Sequence, residues 1–185
     1  MPDDPDSRSL SEGSPAAPLW LSLDILHEAG DWSRIGDRDR LIAAAGRALA
    51  SYPLFADEPK AEACVALSDD ATVRDLNARF RGKDKPTNVL SFPALKGSQE
   101  ESAPQLGDII LAQETIEREA AEQGLTPAHH LQHLVVHGLL HLLGFDHETE
   151  EEAQEMEGIE IEVLAGLGIA NPYAGDEVTP ATHDQ

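Results

Sequence analysis

One cysteine, Cys64, stands in a chain of 185 residues. That excludes an internal disulfide and makes a reducing cytoplasm the expected compartment. Cys64 lies in a strand-like run, where packing rather than reactivity is its ordinary role. No apolar run approaches the ~18 residues a membrane span needs, and a hydrophobic content of 41% suits a soluble core. The first residues, MPDDPDSRSLSEGSPAAP, hold no apolar stretch and carry acids where a secretion signal would be basic. Positive charge is scarce too. Against 35 Asp and Glu there are 13 Lys and Arg, a formal net charge of -22. This argues against generic nucleic-acid binding through bulk electrostatics, and no DNA is expected. No Lys or Arg follows Arg118, whereas Arg74, Arg79, Arg81, Lys83 and Lys85 crowd into one segment. A polyanion would have to be held there.

Histidine is abundant instead. Six of the eight fall in HHLQHLVVHGLLHLLGFDH, from His129 to His147. His129, His133, His137 and His141 recur every fourth residue, so a helix stacks them along one side. Gly144 breaks that helix, and His147 arrives on the returning chain. His137 and His141, one turn apart, can share an ion that His147 closes on from beyond the bend. Three neutral nitrogens with an open fourth position describe a catalytic zinc site better than a structural one, which closes with four ligands. One Zn2+ per chain is therefore expected. His129 and His133 continue the stripe as cleft-lining or outer partners, while His130 lies off it.

Along the rest of the chain, Leu19 to Leu26 alternates as a strand. Asp37 caps a helix to about Tyr52, stopped by Pro53. Ala61 to Leu67 is a second strand, and Ser68 or Asp69 caps a helix with Val73, Leu76 and Phe80 on its packing side. Gly82 is that helix's natural C′ residue. KDKPTN is a turn-rich connector to a strand over Asn88 to Phe92, followed by an exposed loop over 94–106. Gly107 to Leu111 is the fourth strand, and Gln113 to Gln123 a helix closed by Gly124. Thr126 caps the histidine helix, with Pro127 in the favoured first position. A last helix, about Glu148 to Leu167, buries Met156, Ile159, Val163 and Leu167. Its acidic run reads as a solvated face, and Glu150, Glu151 and Glu152 suit its N-terminus. The fold class expected is α+β: one compact domain over 19–173, a small mixed four-stranded sheet and about five helices. Residues 1–18 and 174–185 are expected as tails, and the metal site lies on a buried helix.

His137, Gly138, His141, Gly144 and His147 make H-G-x-x-H-x-x-G-x-x-H, the metzincin peptidase pattern without its glutamate. That glutamate is the peptidases' general base, and Gly138 cannot replace it, so a zinc peptidase is the disfavoured alternative. HGLLHLLGFDH, together with FRGKDKPTNVLSFP (Phe80 to Pro93) and GDI (Gly107 to Ile109), resembles the YbeY family of bacterial metal-dependent endoribonucleases. The resemblance spans roughly Leu19 to Tyr173. It implies zinc at His137, His141 and His147, a functional arginine at Arg81, and action on single-stranded ribosomal RNA. The implied task is maturation of the 16S 3′ end and ribosome quality control, alongside ribosomal proteins and an Era-type GTPase.

Chemistry supplies roles for several residues. A guanidinium grips phosphoryl oxygens bidentately, so Arg81 either does that or merely completes a helix C-terminus. Arg79, Lys83 and Lys85 are the RNA-binding candidates beside it. Asp108 and Asp146 could each accept the far N–H of a ligand histidine, or cap a turn. The general base stays open between a metal hydroxide, the RNA 2′-hydroxyl route and His133. A ribosome-assembly factor whose metal is mainly structural is the other alternative.

Overall fold

A computed structural model describes residues 19–94 and 104–174. The expected tails, apart from Ala174, and most of the expected loop over 94–106 lie outside the described residues. Four strands, β1 (Leu21–His27), β2 (Ala61–Ser68), β3 (Val89–Pro93) and β4 (Gln105–Ala112), form one mixed sheet in the order β1-β2-β4-β3. The first three in that order run parallel, and β3 pairs antiparallel with β4 at the edge. Five helices accompany them: α1 (Arg38–Ala50), α2 (Asp70–Arg81), α3 (Gln113–Gln123), α4 (Pro127–Leu142) and α5 (Glu150–Gly166). None of the described helices is long and apolar enough to cross a membrane.

Local chemistry sets most boundaries. Asp37, Asp69 and Thr126 each accept a backbone N–H from their helix's first turn, which satisfies donors that have no partner inside the helix. Thr149 and Glu152 make a reciprocal capping box on α5, so that helix starts at Glu150. Gly82 and Gly124 close α2 and α3 in the left-handed conformation. β1 begins two residues later than expected. Two short 3-10 turns, Trp32–Ile35 and Pro53–Phe55, sit where the residue pattern has no period; each buries an aromatic, Trp32 and Phe55.

The two faces of the sheet differ. Val65, Leu67, Ile109 and Leu111 join residues of α1, α4 and α5 in the main core. On the opposite face Val73 of α2, Leu90 and Ala112 make a smaller cluster with Leu76, Phe92 and Ile110. Helix α4 lies directly on the sheet: a Cβ at Gly138 would stand 3.0 Å from Ile109 Cδ1. Gly107, at φ 138°, is tighter still, since a Cβ there would meet the Phe92 carbonyl oxygen at 2.2 Å. Cys64 is half-buried in β2; burial, with Asp108 next, pushes its thiol up and away from the reactive thiolate.

Two packing expectations need correction. Phe80, expected on the packing side of α2, is 65% exposed. The last turn of α2 reaches edge strand β3, and among the described residues no strand lies beyond β3 to cover it. On α5, Leu167 is only half-buried, and Leu164 and Glu160 fill the buried side with Met156, Ile159 and Val163.

Candidate metal centre

Helix α4 is buried on most sides, and its histidine stripe is the part left open. His137 and His141 are partly exposed one turn apart. Gly144, at φ 101°, then reverses the chain, with Phe145 N donating to the Leu140 carbonyl at 3.0 Å. The Phe145 ring packs edge-on against Phe55 at 6.0 Å, which anchors the bend. His147 returns to the stripe. One ring nitrogen from each of His137, His141 and His147 lies within 4.8 Å of the others.

Hydrogen bonds fix which nitrogens face inward. His141 Nδ1 lies 3.0 Å from the Phe145 carbonyl oxygen, which can only accept, so Nδ1 carries the proton. His137 Nδ1 lies 2.5 Å from Glu160 Oε1. Burial pushes the Glu160 carboxyl up, but the hydrogen bonds from His133 and His137 outweigh it and hold the group at about 2. It is therefore a carboxylate and accepts. With both rings neutral, as metal ligands must be, the two Nε2 atoms present lone pairs to each other, 3.1 Å apart. Two lone pairs that close repel unless a cation lies between them. An ion about 2.05 Å from each, at a tetrahedral angle, would hold them about 3.3 Å apart. The donor set thus fits a three-nitrogen metal site. Burial, then the nearby His137 and His147, push the His141 imidazole down, toward the neutral form a ligand needs. The exposed His147 leaves one side of the site open to solvent.

Glu160 went unread in the sequence. It is 0% exposed, and its second oxygen lies 3.0 Å from His133 Nε2 and also accepts from the Tyr173 hydroxyl. The Tyr173 oxygen is itself 3.2 Å from His133 Nε2. A signal was available: Glu160 shares the stripe of Met156, Ile159 and Val163, and an acid on a buried stripe requires donors. It fills, for His137, the role expected of Asp108 or Asp146, and the Phe145 carbonyl fills it for His141. Asp108 is exposed on the α2 face of the sheet, away from α4. Asp146 accepts from the His147 backbone N–H at 2.8 Å, which caps a turn.

The remaining candidates separate. His133 lines a cleft of about 550 Å³ with Asn88, Glu119, His130, His137 and Tyr173. His129 is exposed in the first turn of α4 and takes no part in it. His130 lies off the stripe as expected and pairs through Nε2 with Glu119 at 2.8 Å. Arg81 Nη2 donates to the Ser91 carbonyl at 2.9 Å. Ser91 Oγ donates to the Gly138 carbonyl at 3.3 Å, which ties edge strand β3 to the histidine helix. Arg79 pairs with Asp75 at 3.2 Å, and Lys83 and Lys85 are exposed on the connector after α2.

Comparison with known proteins converges on one family. The profile of the Endoribonuclease YbeY family matches residues 36–168. The Endoribonuclease YbeY of Azorhizobium caulinodans is 53% identical over 156 residues, 83% of this chain and 97% of that one. That of Rhodopseudomonas palustris is 48% identical over 176 residues, 94% of this chain and 90% of the relative. The solution structure of TM1509 from Thermotoga maritima superposes with a TM-score of 0.51 at 25% identity, covering 86% of this chain and 99% of that one.

Proposed function

The chain belongs to the YbeY endoribonuclease family, and from that premise we propose that it is a zinc-dependent endoribonuclease of single-stranded RNA. Its proposed substrate is the 3′ end of small-subunit 16S ribosomal RNA, in maturation and ribosome quality control. It would work in the cytoplasm with ribosomal proteins and an Era-type GTPase. The observation that carries the reading is the pair of facing Nε2 atoms of His137 and His141, with His147 near enough to complete three ligands. Zinc held there would supply a Lewis acid beside the scissile phosphate and make water more acidic.

The chain's own groups would do the rest. Arg81 sits where β3 meets the histidine helix through Ser91. Its remaining N–H groups can grip the non-bridging oxygens as negative charge builds on them. Lys83 and Lys85 would hold flanking phosphates, with Arg79 as a weaker neighbour because Asp75 already occupies it. His133 is the proposed proton carrier. Its Nε2 is tied to Glu160 and Tyr173, and its Nδ1 has no protein hydrogen bond among the described residues, so Nδ1 is the atom that exchanges a proton. Glu160 orients His137 and His133 together. Asp146 shapes the turn that delivers His147.

The peptidase alternative loses support here. The position of the missing glutamate, Gly138, is pressed against Ile109, so a side chain there would meet the sheet. The test is cleavage of a 3′-extended 16S precursor by wild type, His141→Ala and Arg81→Ala, with zinc measured on each sample. Cutting by wild type alone, with zinc retained in Arg81→Ala, supports the enzyme. Equal cutting by all three would trace the activity to a contaminant and leave an assembly factor with a structural metal.

A further inference from the structure

Phe80 is out of place. Burying a phenylalanine side chain contributes about 1.5–3 kcal/mol, yet this one is the most exposed large hydrophobic among the described residues. It stands at the end of α2, with its ring edge-on to Phe92 of β3 at 5.4 Å and 66°. The Arg81 guanidinium sits 5.8 Å from the centre of the Phe92 ring. We propose that Phe80 and Phe92, flanked by Arg81, form a stacking platform for an unpaired nucleobase of single-stranded RNA. This rests on the RNA reading above and adds a second contact outside the metal centre.

Charge identifies the occupant. The chain is strongly acidic, but the residues around Phe80 are basic. Asp84 and Asp75 are taken up by Arg74 and Arg79. Arg81, Lys83 and Lys85 have no carboxylate against them among the described residues. Aromatic rings interleaved with uncommitted cations match a polyanion whose bases are free to stack. Asp108, opposite Phe92 in the β3–β4 register, shares that face of the sheet and can accept from a base amino group. The connector is also held in place. Buried Asn77 donates to the Lys85 carbonyl at 2.8 Å, and Lys83 N donates to the Asn77 carbonyl. The lysines are thus presented beside the rings. Ser91, the residue before Phe92, points to the opposite face of edge strand β3, where its hydroxyl bonds to α4 next to His137, so the platform and the candidate metal centre lie on the two sides of one edge strand. In a duplex the base faces are already stacked on each other, so the platform favours single strands.

The experiment uses the zinc-loaded full chain and a labelled 2′-O-methyl oligoadenylate, which cannot be cut through its 2′-hydroxyl. Phe80→Ala should weaken binding about tenfold, the scale of one lost base–aromatic stack, with zinc content and melting temperature unchanged. Phe80→Trp should keep the affinity, and its emission should be quenched as RNA is added. The native tryptophans, Trp20 and Trp32, are buried and give a constant background. RNA affinity within twofold of wild type in Phe80→Ala overturns the platform and leaves the patch to a protein partner. Loss of zinc or of stability in step with the RNA affinity also overturns it, because Phe80 would then be structural. The two readings fail separately. Cleavage by wild type with normal binding by Phe80→Ala sinks only the platform; Phe80-dependent binding without cleavage sinks only the enzyme.

Discussion

The two ends of the proposed RNA path are built on opposite principles. At the candidate metal centre the anchoring group is sheltered: Glu160 is wholly buried, and three donors, His133, His137 and Tyr173, bond to a charge that water cannot reach. At the α2–β3 edge the groups are exposed, with Phe80, Lys83 and Lys85 open to solvent. The first arrangement gives geometric precision, because a buried carboxylate is costly unless every partner is in place. The second gives reach and tolerance, at the cost of screening by salt. An acidic protein can act on a polyanion if it keeps its acids internal or paired at the site and its free cations along one edge.

The sharpest way to break the contrast is at the ligands. His141→Ala should weaken zinc binding by more than about 100-fold, beyond the range for an outer partner, as measured by competition with a chelating dye, and abolish cleavage. Glu160→Gln comes next. It keeps the shape but removes the charge that fixes His137, so zinc affinity should fall about 10- to 100-fold. That variant also carries a pH signature. Glu160 ionises well below its ordinary 4.5 in the folded chain, at about 2. A depressed carboxyl contributes stability that is full above about 4.5 and lost as pH falls toward 2. Urea unfolding of the metal-free proteins should therefore show wild type ahead of Glu160→Gln at pH 6, with the gap narrowing between 4.5 and 2. A constant gap would remove Glu160 from that role.

Arg81→Ala should lower cleavage about 100-fold with zinc content unchanged, the scale of one lost transition-state donor. Loss of zinc along with activity would merge the two regions into one. Gly107→Ala attacks their common support. Its Cβ would collide with the Phe92 carbonyl, so a loss of about 2–4 kcal/mol is expected in denaturant titrations. The smallest effect belongs to Lys83→Ala, about twofold in RNA affinity at low salt and fading as salt rises.

The fold was legible where local chemistry decides it. Asp37, Asp69, Thr126, Gly82 and Gly124 mark helix ends by satisfying or releasing backbone groups, so those boundaries could be read without knowing what packs where. The two 3-10 turns escaped because three or four residues carry no period. At the site, the histidine spacing pointed to three nitrogens around one ion. Asp108 was the misleading signal, because a strand alternates its faces and only sheet packing shows which one meets α4.

The sequence by itself determined the histidine stripe, the glycine bend behind it and the single basic segment, since spacing along one chain fixes all three. Only the tertiary structure decided that Glu160 is a partner to two histidines and that Phe80 stands uncovered. Burial is conferred by other elements. An acid on α5 becomes structural because α4 lies against it, and an aromatic on α2 becomes available because β3 is the edge of the described sheet.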